Sequence, residues 1–350
     1  MVNAFKFLRH AVRMMATGLL VFGAVGCNVH EPWPDNPVKP TPDPPVVENV
    51  PVTLNFHFDT ALPLYKEISY SRGTQTLHEM RYTVQVYAPS RASASEPNIT
   101  WTFRCPVSDT PDFTTGVNLP DGEYELYAWA DYVDAGTITD KYYDTSSWQT
   151  LKVADIKNHQ GSTEYRDAFR GFTTKTIVNS SEVTPSNTID IAMKRPLARF
   201  EFIATDYAEF ARNELAARNP ATQSSDNEIS PDDYTIVFFY RDFTPTGYNV
   251  FTDKPNDAVT GMQFASNISL TEKGASLGFN YIFVNGTETS VKVVLGIYDR
   301  QGQLAASTGE IEVPLVRSKN TIVKGEFLSG KSQGGVGVKP EFDGNYDIEI

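Results

Sequence analysis

From Val52 onward the chain alternates between apolar and polar side chains. Val52, Leu54, Phe56 and Phe58 are separated by Thr53, Asn55, His57 and Asp59, and Tyr82, Val84, Val86 and Ala88 by Thr83, Gln85 and Tyr87. A period of two sends every second side chain to one face, so each run predicts a strand with one buried face. The same reading predicts strands over 99–105, 123–131 and 188–193, divided by turn-rich stretches such as Leu119-Pro-Asp-Gly-Glu123. A second set begins with Ala198, Phe200 and Phe202 and continues over 234–240, 291–297, 321–327 and 342–350. Short strands at such spacing predict an all-β fold of antiparallel sandwiches. The exception is 206–218, where Asp206 and Glu209 form a capping-box pattern and Tyr207, Phe210 and Ala211 can face a core, which predicts one short helix. Some 300 residues exceed what one hydrophobic core usually serves, so two tandem sandwich domains are expected, 52–196 and 197–350, meeting at Pro196.

Residues 1–26 have a different pattern. A basic head, Lys6, Arg9 and Arg13, leads through an apolar stretch from Met14 to Val25 into Ala24-Val25-Gly26-Cys27. About a dozen apolar residues are too few for the roughly twenty that span a bilayer and suit the apolar region of a signal peptide. Small residues before Cys27 predict a lipoprotein signal, with cleavage ahead of Cys27 and acylation of the new N-terminus. Anchoring to membrane lipid would then scale at about 0.8 kcal/mol per buried CH₂. Residues 27–51 follow as attachment site and spacer: Glu31 to Pro51 holds eight prolines in twenty-one residues. That density favours extended polyproline II over sheet and, at about 3.1 Å per residue, reaches roughly 60 Å.

Charge narrows the partners. Loss of the three basic residues of 1–26 moves the net charge from −13 to −16. An acidic chain with no basic cluster after Arg13 repels nucleic acid, which is excluded as a partner. With Cys27 acylated, Cys105 has no partner for a disulfide. It shares the apolar face of 99–105 with Trp101 and Phe103 and reads as a small core residue.

Several chemical motifs occur in contexts that reject them. Gly325-Glu-Phe-Leu-Ser-Gly330-Lys331-Ser332 has phosphate-loop spacing, but the glycine-rich 333–338 that follows cannot form the required helix. Gly274-Ala-Ser276-Leu-Gly278 has the form of a serine-hydrolase elbow, yet no histidine follows His159. His57, His78 and His159 lack metal-ligand spacing, so no metal, cofactor or enzyme activity is expected. Asp343, Asn345 and Asp347 begin like a calcium loop but lack its later glutamate, and alternate positions on a terminal strand fit a solvated face equally. Trp129, Asp131 and Tyr132, with Tyr142 and Tyr143 after them, mix aromatics and a carboxylate as glycan-binding surfaces do. Core packing explains the same residues.

Three phrases carry a resemblance: Leu119-Pro-Asp-Gly-Glu-Tyr-Glu-Leu-Tyr-Ala-Trp-Ala-Asp131, Met193-Lys-Arg-Pro-Leu-Ala-Arg-Phe200 and Val313-Pro-Leu-Val-Arg-Ser-Lys-Asn-Thr-Ile-Val-Lys-Gly325. With the closing Lys339-Pro-Glu-Phe-Asp-Gly-Asn-Tyr346, the sequence resembles the fimbrillin-like and fimbrial-anchor lipoproteins of Bacteroidetes. The resemblance implies two transthyretin-like sandwiches held at the cell outer membrane and exposed at the surface or in a fimbrium. It also implies assembly with fimbrillin subunits by strand addition, and, in shaft subunits, cleavage after an arginine beyond the first strand. Arg72 stands in a suitable place. The retained spacer favours a lipid-held, non-enzymatic anchor, tip or related adhesion protein. The alternative is a glycan-binding surface lipoprotein accompanying an outer-membrane transporter, with Trp129, Asp131, Tyr132, Tyr142 and Tyr143 as contacts.

Overall fold

A computed structural model of the chain describes residues 49–58, 78–89, 96–107, 112–179, 187–218, 229–329, 337–339 and 345–349. In the first half the alternating runs become β1 (Asn49–Phe58), β2 (His78–Tyr87), β3 (Ile99–Pro106), β4 (Phe113–Pro120) and β5 (Gly122–Asp134). Short β6 (Tyr143–Asp144) and β7 (Leu151–Val153) precede β8 (Ala168–Ile177) and β9 (Thr188–Lys194). The main sheet runs β3-β2-β5-β8-β9-β1-β4. Only two residue pairs, Arg170 with Lys194 and Gly171 with Met193, join β8 to β9. At that corner a side chain on Gly171 would lie 2.5 Å from Ile191 Cγ2 and 2.7 Å from Met193 Sδ, so the close approach requires glycine. β3-β2-β5-β8 on one side and β9-β1-β4 on the other enclose Leu54, Phe56, Val84, Leu126, Phe169 and Ile191.

The second half comprises β10 (Leu197–Ala204), α1 (Tyr207–Arg218), β11 (Tyr234–Tyr240), β12 (Thr244–Asn249), β13 (Lys254–Val259), β14 (Gln263–Asn267), β15 (Ser269–Thr271) and β16 (Gly274–Phe283). It continues through β17 (Glu288–Asp299), β18 (Leu304–Ser307), β19 (Ile311–Val316) and β20 (Asn320–Gly325) to β21 (Gly337–Lys339) and β22 (Asn345–Glu349). Its strand pairing repeats that of the first half. β1 lies antiparallel to β4 and parallel to β9, and β10 lies antiparallel to β16 and parallel to β20. β2 pairs with β3 and β5, and β11 with β14 and β17. Where antiparallel sheets are expected, each half therefore contains a parallel pairing of its first strand with a late one. The repeat is not complete: β22 adds a further parallel strand outside β20.

Each half has its own core, and a third, aromatic core joins them. Phe200, Phe202, Phe238, Leu277, Leu295 and Val313 fill the second half. Tyr87, Trp129, Tyr143 and Trp148 from the first half meet Tyr248 and Phe283 from the second. This shared packing gathers 47–350 into one compact body.

One local expectation is corrected. The spacer was expected to reach Pro51, yet Asn49, Val50 and Pro51 pair with Pro120, Leu119 and Asn118. The amide of Thr53 donates to Asn187 O at 3.0 Å. By the period of two the Pro51 nitrogen points the same way, where β9 has not yet begun, so the missing N–H leaves no bond unmade. Asp206 begins the helix by accepting at its carbonyl from the amide of Phe210 at 2.9 Å. Its Oδ2 accepts from the amides of Leu328 at 3.0 Å and Ser329 at 2.7 Å, tying the helix start to the segment after β20.

Candidate functional site

Cys27 and Arg72 lie outside the described residues. The aromatic set does not form an exposed platform: Trp129, Tyr132 and Tyr143 are at most 1 % exposed, and Tyr142 and Asp131 are also buried. Trp129 meets Tyr143 edge-on at 5.6 Å and Tyr248 at 5.9 Å. Tyr143 donates its hydroxyl to the Arg166 carbonyl. Asp131 accepts both arms of the buried Arg81, Nε at 2.9 Å and Nη2 at 2.7 Å, while Arg81 Nη1 reaches Asp140 at 2.7 Å. A sugar needs an open ring face and free acceptors. Trp129, Tyr142 and Tyr143 instead pack in the joint between the halves, while Tyr132 fills the first core and Asp131 holds Arg81 within the first half.

The joint also holds charged residues that sequence periodicity does not single out. Arg195, between β9 and β10, has no exposed surface; its Nε lies 2.8 Å from Asp167 Oδ2 and its guanidinium 4.6 Å above the Phe169 ring. Burial pushes the Asp167 carboxyl up to about 6 despite the neighbouring Arg195. Arg199 reaches Glu164 at 3.0 Å and Glu201 at 2.9 Å, and Tyr281 donates to the same Glu164. Arg317, in the turn between β19 and β20, donates to the Arg195 carbonyl at 2.7 Å and to Asp253 at 2.6 Å. Arg195, Arg199 and Arg317 all belong to the phrases that carry the sequence resemblance, and all three act at this joint.

His159 is buried beside it. Asn280 Nδ2 lies 2.8 Å from His159 Nε2, which makes that nitrogen an acceptor and the ring neutral. Burial, with Arg166 nearby, pushes the imidazole down to about 3. A histidine whose folded value lies below its unfolded 6.5 stabilises fully above pH 6.5 and loses that contribution as pH falls toward 3. Compared with His159→Gln, the wild type is expected to lose up to about 1.4 kcal/mol of relative stability per pH unit below 6.5. Parallel urea titrations from pH 7.5 to about 4 check this, and the difference cancels the opposite contribution of Asp167. Parallel curves would reject a neutral buried His159.

The remaining motif residues are structural or lie outside the described residues. Ser276 is buried within β16 and donates to Glu201 Oε1 at 2.8 Å. Gly278, at φ 148°, allows no side chain, because a Cβ would lie 2.7 Å from Phe238. Gly330, Lys331, Ser332 and Asp343 are not described. Cys105 is half-buried with Trp101 and Phe103 against the first core, and burial pushes its thiol up. On the outer face of β1, His57 stands between Asp112 at 3.2 Å and Asp190 at 3.3 Å. These two carboxylates raise its pKa. Among the described residues no group of three or more acidic, histidine or cysteine side chains could hold a metal, and no helix is long and apolar enough to cross a membrane.

Solved structures similar to this chain include fimbrial proteins of Bacteroidetes. A tip fimbrial protein of Porphyromonas gingivalis with C-terminal truncation is 9 % identical over 79 % of this chain and 94 % of its own, with a TM-score of 0.40. The fimbrial anchor protein of the same organism is 10 % identical over 74 % and 82 %, with a TM-score of 0.32. A fimbrial assembly protein of Parabacteroides distasonis is 10 % identical over 79 % and 91 %, with a TM-score of 0.37. No curated protein matches the sequence. A family model matches residues 44–350, and the chain belongs to that family, a family of unknown function designated DUF6562.

Proposed function

We propose that this protein is a non-enzymatic component of a cell-surface fimbrium or a related adhesin, held at the outer membrane by acylated Cys27. Its two tandem domains would be 52–196 and 197–350. The observation that carries this reading is the way the chain enters the body. The proline-rich segment runs directly into β1, which is paired along eight residues to β4 and six to β9. Val52, Leu54, Phe56 and Phe58 anchor that strand in the core. A tether joined to an inner strand suits a protein that keeps both its lipid and its first strand. Loss of β1 by cleavage after Arg72 would remove five core side chains, Val50 among them, and leave β4 without its partner, a role that suits a shaft subunit.

Gentle detergent extraction of native membranes, followed by antibody capture, N-terminal sequencing and mass spectrometry of companions, tests the proposal. An acylated N-terminus at Cys27 with co-purified fimbrial subunits is expected. Cys27→Ala is expected to shift the protein from the membrane to the soluble fraction. A start at Gly73 would make it a shaft subunit, and a lone monomer travelling with a transporter would replace the fimbrial reading.

A further inference from the structure

A cleft of ≈ 720 Å³ opens between the end of the β9-β1 pair and the β19–β20 turn. Its volume falls within the range of about 300–1,000 Å³ usual for small-ligand sites and far exceeds what one inorganic anion fills. Although the chain has 43 acidic and 30 basic residues, no acidic residue lines the cleft among the described residues. Phe58, Met193 and Val316 supply apolar surface, and Lys194 and Lys319 supply charge. Neither lysine ammonium has an ion-pair or hydrogen-bond partner among the described residues, whereas Arg317 is engaged by Asp253 and His57 by Asp112 and Asp190. Thr287 and Ser318 add hydroxyl groups.

The Lys319 side of the cleft is rigid. Ser318 has a left-handed backbone at φ 61°, uncommon for a residue with a side chain. The amides of Arg317, Ser318 and Lys319 donate to Thr287 O at 2.8 Å, Leu197 O at 2.9 Å and Val316 O at 3.0 Å. With these turn donors used, recognition there falls to ammonium and hydroxyl side chains over an apolar floor. We infer that this cleft binds an acidic oligosaccharide, its carboxylates or sulfates on Lys194 and Lys319 and the apolar face of a ring on Met193 and Val316. The alternation of anionic group, hydroxyls and a C–H face in a sugar acid matches this lining. An extended acidic peptide would want free backbone partners, which the turn does not offer.

The test uses the full-length protein in detergent, with polygalacturonate fragments, chondroitin sulfate, neutral dextran and poly-L-glutamate as probes in affinity electrophoresis and calorimetry. Binding to at least one acidic polysaccharide, weakened by salt, with none to dextran, is expected. Lys194→Gln combined with Lys319→Gln should lower affinity about tenfold or more, with an unchanged unfolding midpoint because neither side chain is in a core. No binding to either acidic polysaccharide, equal binding to dextran, or undiminished binding by the double variant would each overturn the site. Poly-L-glutamate binding as tightly, with the same lysine dependence, would overturn the sugar assignment. None of these readings depends on the lipid anchor or on fimbrial partners, so this inference and the proposed function fail separately.

Discussion

Replacing Arg195 with methionine is expected to destabilise the protein by about 3–5 kcal/mol, the usual consequence of removing one partner of a buried ion pair. Arg195 and Asp167 are both almost wholly inside the protein, so the carboxylate would lose its counter-charge where water cannot replace it. The loss should depend on pH. Asp167 already titrates near 6 with Arg195 beside it, against 3.8 ordinarily, and without the arginine it would hold its proton higher still. A carboxyl raised in the folded state destabilises progressively as pH rises above the unfolded value. The variant should therefore lose more relative to wild type at pH 8 than at pH 5. Adding Asp167→Leu should recover much of the deficit, since an apolar pair needs no compensation. Urea unfolding of the single and double variants checks this, and a single-variant loss below about 1 kcal/mol would show that Asp167 finds another partner.

The second large effect is expected at Trp129. Trp129→Ala should cost about 3–5 kcal/mol, the range for emptying a buried tryptophan site. The cavity would open between Tyr143 and Tyr248, residues of opposite halves, so the damage falls on the joint. If Trp129 served as a sugar-stacking surface, stability would hardly change. Chemical denaturation separates the two outcomes.

The alternating runs at 52–58, 82–88 and 234–240 were legible because one face of each strand is buried and the other is largely not, Tyr87 in the joint being the exception. β8 escaped that reading for a physical reason. Gly171 faces the core because Ile191 and Met193 leave no room for a side chain, while Phe172 is 41 % exposed, so apolar and small residues stand on the reversed faces. The parallel partnerships of β1 with β9 and β10 with β20 leave no local trace, since periodicity records burial and not the neighbour. At the candidate site the limit was composition. Trp129, Asp131 and Tyr143 have the same chemistry in an open platform and in a closed joint, and only burial tells them apart. Arg195 and Asp167 look like surface charges until the chain is folded around them.

The pairing of first strand with late strand has a consequence for how the protein comes to be folded. Asn55 and its partner Asp190 are 135 residues apart in sequence, and Arg199 and Asn320 are 121 apart. Contacts this distant make acquisition of the native state slow, because loop-closure entropy precedes their reward. β1 cannot find β9 until nearly 200 residues have emerged, and the strand edge that β9 takes must stay unpaired for that interval. During synthesis such a chain would rely on that edge being kept unpaired, and its first half can close well before the second has been made.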